Sequence, residues 1–237
     1  MSFDPYEFDR SMHPSGTYTL GQYTAKTFLW MMLGLLVTFG VAAIGYATDL
    51  TWVLYRDIPG LHLILLVATL ILSVTMVHRI ERMAVSTAVI LFVTFSALFG
   101  LTLSLYMYVF QMTSFILIFL LTALYFGALA AYGYLTKADL SRLGPILFSG
   151  LIFLVIFGLL SMFIPGLAAM DRAVCLIGIV VFLGYTAYDT QRIQAFYSYY
   201  SGYPDMLEKA SIFSALQLYL DFINLFLYLL RFMGRRK

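Results

Sequence analysis

The chain has 237 residues, of which 62% are hydrophobic and only 11% charged, with a formal net charge of +2. An ordinary globular chain is roughly 45–50% apolar and about 25% charged, so a mean hydropathy of +0.91 excludes a cytosolic enzyme, a nucleic-acid binder and a disordered chain. The composition predicts an all-α polytopic membrane protein; seven spans of about 20 residues use roughly 140 and leave room for a tail and short loops, not a second domain.

In chain order, residues 1–26 read as a cytoplasmic tail with an acidic start (Asp4, Glu7, Asp9, Arg10). The apolar run that follows, from Thr27 to Thr48, exceeds the roughly 7–15 residues of a signal-peptide core, so it is expected to stay in the membrane. Further runs cover 61–78, 85–109, 113–135, 145–165, 173–196 and 209–231. The breaks between them are Asp49 to Gly60, His78 to Arg82, Gln111, Lys137 to Arg142, Pro165 to Arg172 and Ser198 to Lys209. Each run is long enough to cross the hydrocarbon core as a helix. The predicted organisation is a tail over 1–26, a seven-helix domain over 27–232 and a basic tail over 233–237.

Ala123, Gly127 and Ala131 form a row of small residues at four-residue spacing, the pattern by which membrane helices approach one another. Aromatics near run ends, such as Trp30, Trp52, Tyr106 and Tyr199, suit interfacial belts. Cys175, in an apolar run, reads as a small core residue. His13, His62 and His78 have no ligand spacing, the methionines are spread out as packing residues, and no Gly-rich phosphate loop precedes a helix.

Seven crossings put Arg10, Lys26, Arg79, Arg82, Lys137, Arg142, Arg192 and Lys209 on one side, and Arg56 and Arg172 on the other. That asymmetry predicts a cytoplasmic N-terminus. The C-terminal tail, with Arg231, Arg235, Arg236 and Lys237 on the second side, opposes it. Either the last segment crosses despite its tail, or it dips in and returns.

Two acids lie inside apolar runs: Asp189 in LGYTAYDTQRI and Asp221 in ALQLYLDFINLFLYLLR. A charge at mid-helix costs roughly 2.5–3.5 kcal/mol on insertion scales. Gln217, Asp221 and Asn224 share one helical face, a polar stripe expected to point into the bundle. The acids are either separately satisfied by hydroxyls or water, or they meet. If they meet they share a proton and titrate as a unit, a proton sensor that in its ionised form is also a weak Ca²⁺ ligand.

SIFSALQLYLDFINLFLYLLRFMG resembles the C-terminal signature of the Bax inhibitor-1 (transmembrane Bax inhibitor motif) family. AYDTQRI is similar to the family's penultimate helix, LYFGALAAYGYLTKADLSRLG to its fourth helix and following loop, and RIERM to the bacterial members. The resemblance implies six helices around a central C-terminal one and a Ca²⁺-leak activity that responds to pH. It implies that Asp189 and Asp221 are the sensing pair and that an arginine near the end of the second run latches one of them. Spacing to Gly100 favours Arg82; Arg79, one turn earlier, is the alternative. It also points to a bacterial inner membrane, with Ca²⁺ as transported ion and no cofactor.

Three other functions remain. An intramembrane aspartyl protease would match Tyr188-Asp189, but Leu218-Tyr219-Leu220 stands where its second signature needs Gly-x-Gly before the acid, so no enzyme is expected. A proton-coupled transporter would use buried acids, but no repeat relates the halves. A non-transporting regulator that binds other membrane proteins, through a stress response or a membrane protease, is compatible with the family. The expected partners are thus the bilayer, Ca²⁺ and protons, with other membrane proteins open and nucleic acid excluded.

Overall fold

The computed structural model describes residues 19–79 and 82–237, with the backbone alone at Val77, Met162, Pro165 and Ala168. Most of the expected tail, including Arg10, and Glu81 of the second break lie outside the described residues. The helices are α1 (Leu20–Ala47), α2 (Leu50–Asp57), α3 (Leu61–Arg79), α4 (Val85–Val109), α5 (Met112–Leu135), α6 (Gly144–Phe163), α7 (Asp171–Tyr200) and α8 (Pro204–Met233), with 3₁₀ turns at Leu140–Leu143 and Pro165–Met170. The protein is therefore an all-α polytopic membrane protein. Among the described residues, six helical segments are long and apolar enough to cross a membrane, or up to seven with α2 and α3 taken as one span bent by 102°.

α1 begins earlier than the tail boundary expected at residue 26. The reason is local: Thr19 and Gln22 form a reciprocal cap, with Thr19 N–H donating to Gln22 Oε1 at 2.9 Å and Gln22 N–H donating to Thr19 Oγ1 at 3.3 Å. α2 falls within a stretch the sequence marked only as a break. Asp49 turns the chain into it at φ 52°, and Gly60 at φ 78° turns it out, a conformation that favours glycine.

Neighbour contacts give each helix its direction. α1 and α4 run parallel: Gly34 abuts Phe92, Thr38 Oγ1 donates to the Ser96 carbonyl at 2.9 Å, and Tyr46 packs on Tyr108 at 4.8 Å. The chain must therefore return between them, and α2–α3 is the return limb. The end where α1 starts is termed the near end, the opposite one the far end. α6 runs antiparallel to α7, with Gly144 beside Tyr188, Leu147 beside Gly184 and Gly150 beside Val181.

α8 is the most buried span and packs most closely on α7, α1, α5 and α4. α3 leans on α4, and α6 on α7. The central C-terminal helix is as expected, although its closest jacket is four helices rather than six. The small-residue row is a correction: Ala123, Gly127 and Ala131 face outward, while Thr122, Phe126, Ala130 and Gly133 form the buried side of α5. An α-helix apolar all round carries no stripe to show which side packs.

α8 is unbroken from Pro204 to Met233, so the last segment is long and apolar enough to cross and does not turn back on itself. Its tail docks at the far end against the α4–α5 connection. Gln111 N–H donates to the Arg235 carbonyl at 2.9 Å, and Lys237 N–H to the Val109 carbonyl at 3.0 Å. Lys237 Nζ also donates to Tyr46 Oη and to the Met107 carbonyl, both at 2.9 Å.

Candidate functional site, a buried aspartate pair

α7 and α8 are antiparallel, and their register is set by bulk. The Tyr228 ring lies on the bare Cα of Gly178 and stacks on Phe182 at 5.8 Å, while Phe196 meets Phe213 at 6.1 Å toward the near end. Between these contacts Asp189 falls opposite Asp221, and their carboxyl groups come within hydrogen-bonding reach. Both are buried, at 7% and 4% exposure.

The surroundings do little to satisfy them. Thr186 and Thr190, on the same helix as Asp189, donate to the carbonyls of Phe182 at 2.8 Å and Thr186 at 2.7 Å, so their protons are spent on their own helix. Asp189 Oδ1 and Asp221 Oδ2 have no hydrogen-bond partner among the described residues. An unsatisfied buried acceptor is costly, more so when charged. The alternative in which each acid is separately satisfied by hydroxyls is therefore not what the described side chains provide. A single proton between the acids gives one O–H···O bond; its loss puts two like charges in contact.

Two nearby groups were not singled out as site residues from the sequence. Tyr185, one turn before Asp189, lies within electrostatic range of both acids. Arg192, counted only as a flanking charge, lies one turn after Asp189, acts on it electrostatically and covers the Phe196 ring at 5.0 Å. Helical spacing from Asp189 was the available signal for both. The α7 segment is also tethered. Gln191 Nε2 donates to the Ala138 carbonyl at 2.8 Å and Gln194 Nε2 to the Tyr134 carbonyl at 2.7 Å. Gly133 lets α5 touch the Ala187 backbone.

Along α8 the polar stripe is real but unevenly buried. Asp221 is buried, Gln217 and Asn224 are half-buried, and Asn224 Nδ2 donates to the Leu220 carbonyl at 2.8 Å. The stripe gains one member toward the near end, Ser214, whose hydroxyl lies beside that of Tyr23. Arg79 and Arg82 are exposed and line a cleft between α3 and α4. Neither forms an ion pair with Asp189 or Asp221 among the described residues.

As a metal site the pair is sparse. No group of three or more His, Cys, Asp or Glu able to hold a metal occurs among the described residues. Ca²⁺ takes 6–8 oxygen ligands, so two carboxylates suit a cation that keeps most of its water.

These features define a class: a polytopic helical membrane protein whose central C-terminal helix carries one half of a buried carboxylate pair. The family model described as inhibitor of apoptosis-promoting Bax1 matches residues 20–237. The inner membrane protein YbhL of Escherichia coli (strain K12) is 41% identical over 221 residues, covering 92% of this chain and 93% of its own. A protein of Rickettsia prowazekii is 40% identical over 220 residues, covering 92% and 91%, and one of Deinococcus radiodurans is 37% identical over 209 residues, covering 88% of each. The chain belongs to the Bax inhibitor-1 family.

Proposed function

We propose that this protein is a pH-sensitive Ca²⁺ leak of the bacterial inner membrane, with its N-terminus in the cytoplasm and no enzymatic activity. The observation that carries the reading is the contact between Asp189 and Asp221 on the most central helix pair, with one oxygen of each left unpartnered. Such a contact holds while the acids share a proton and weakens when they do not, an electrostatic switch on a two-state element. The polar stripe Ser214, Gln217, Asp221 and Asn224 supports it, because these side chains offer oxygens to a cation along α8 once that helix shifts. In the alternate state Arg82, or Arg79 one turn earlier, draws one carboxylate away, as the family resemblance implies. The inner-membrane placement rests on YbhL being an inner membrane protein, and the orientation on the cation asymmetry of the loops.

The test is Ca²⁺ flux into liposomes holding purified protein, from about pH 5 to about pH 8, the range over which a coupled buried pair is resolved from a free carboxylate. Wild type runs beside Asp189→Asn, Asp221→Asn, Arg82→Gln and Arg79→Gln. A pH-dependent flux whose profile is changed by both Asn variants supports the reading, and the arginine arm identifies the latch. Silence at every pH overturns it in favour of a non-transporting regulator. Flux that requires a co-substrate points to a proton-coupled transporter.

A further inference from the structure

At the near end, the last turns of α3 and the first turns of α4 enclose a cleft of about 690 Å³, within the roughly 300–1,000 Å³ of small-molecule sites. Its cations are Arg79 and Arg82, beside them lies the His78 ring, its hydroxyls are Thr75 and Thr87, and its apolar wall is Met83 and Leu91. His78 Nδ1 donates to the Val74 carbonyl at 3.0 Å, which ties that ring to its own helix. The ion pairs among the described residues engage neither Arg79 nor Arg82.

Two guanidinium groups beside hydroxyls form a phosphate-type recognition set, because the planar fork matches two oxygens at once. The position narrows the ligand further. The cleft lies where the spans end, and the helix faces beside it are bare: Ile71 and Val74 of α3 and Ile90 of α4 are exposed at 59%, 48% and 64%. A ligand with an anionic head in the cleft and apolar chains along those faces satisfies both surfaces. We propose that this cleft binds an anionic glycerophospholipid, the phosphate seated on Arg79 and Arg82 and the acyl chains running against α3 and α4. Basic pockets between membrane helices commonly take such headgroups. In this structure the cleft does not reach the aspartate pair, although Arg79 and Arg82 are also the latch residues of that reading; its test therefore reads lipid retention rather than ion flux.

The experiment reconstitutes full-length protein into bilayers of equal phosphatidylglycerol and phosphatidylcholine, releases it gently and weighs the retained lipid by native mass spectrometry. Wild type is expected to retain phosphatidylglycerol over phosphatidylcholine by about tenfold or more, as two cations near an anionic headgroup predict. Arg79→Gln with Arg82→Gln should remove most of that preference. Lys137→Gln with Arg142→Gln, which deletes two cations from the near-end loop between α5 and α6, should leave it intact. Thr87→Trp, which fills the cleft and keeps every charge, should also lower retention and covers the case in which the arginine variant fails to fold. Equal retention of the two lipids by wild type overturns the proposal. So does an equal loss from the loop variant, or undiminished retention by Thr87→Trp. Full displacement by soluble glycerol phosphate overturns the lipid assignment, because the acyl chains would then contribute nothing.

Discussion

At the residue scale, the decisive contrast is between removing a charge and removing a partner. Asp221→Asn keeps a group that can donate N–H to the remaining carboxylate, whereas Asp221→Ala leaves Asp189 buried with nothing opposite. The Asn variant is expected to melt at or above the wild-type temperature in detergent at neutral pH, and the Ala variant to lose about 1–3 kcal/mol, the penalty of an orphaned polar group. Equal losses in thermal unfolding for both would mean that the acids do not support one another. A second buried bond behaves differently. Tyr219 Oη and Thr38 Oγ1 are 2.6 Å apart, and Thr38 also donates to the Ser96 carbonyl. Tyr219→Phe therefore removes one of two contacts and should cost only about 0.6 kcal/mol, the average for hydrogen bonds between membrane helices. The same melting series checks it; a loss above that of Asp221→Ala would contradict the ranking. Both acids could be read as candidates from the sequence, because an acid in an apolar run is costly wherever it ends up. Their contact stays open on the residues alone and is implied only by the family resemblance, since it depends on where Tyr228 and Gly178 lock two helices together.

At the element scale, glycine position separates packing from mere composition. Gly133 lies against the Ala187 backbone, and an added methyl would strike that carbonyl, whereas Gly127 has nothing within 4 Å of an added Cβ. Gly133→Ala should push α5 off α7, next to the segment carrying Asp189, and cost about 1–3 kcal/mol as overpacking does. Gly127→Ala should be neutral or slightly stabilising, because alanine is favoured in a helix by up to about 1 kcal/mol. Comparing the two melting temperatures decides the matter, and a larger loss at Gly127 would contradict the packing described. Sequence spacing pointed to the wrong row here. The runs themselves were legible, as 85–109 becoming α4 illustrates, because apolar length alone governs insertion. The short α2 was not legible, since it is created by backbone turns at Asp49 and Gly60 within a stretch of mixed polarity.

At the scale of the whole molecule, α1 starts at one end of the bundle and the residues after α8 dock at the other. The near end is tied by Lys26 to Glu208 at 2.7 Å and the far end by the Arg231–Asp171 ion pair and the docked tail. In a Cys175→Ser background, single cysteines at Lys137 and Lys237 should react with an impermeant thiol reagent from opposite faces of oriented vesicles. Labelling from the same face would remove the return limb through α2 and α3. Deleting residues 234–237 should speed amide exchange at Gln111, whose N–H now donates to the Arg235 carbonyl, and leave Ile193 in the core unchanged; unaltered exchange at Gln111 would show that the tail does not hold that connection. The tail that opposed the charge count is partly engaged by the bundle. Two of its four cations are not loose flanking charges, for Lys237 donates to Tyr46 and Met107 and Arg231 pairs with Asp171.

Hydrophobic length and the cost of a buried charge are properties of single segments, so a bundle of membrane helices with two acids where acids are expensive is legible in the residues alone. Helix packing, by contrast, places the acids face to face, turns the small residues at 123, 127 and 131 outward, and holds Arg79 and Arg82 in a shared cleft away from the pair. Each of those outcomes depends on register between helices that are apolar on every side, and register is chosen by the fit of particular bulky and bare positions on different segments.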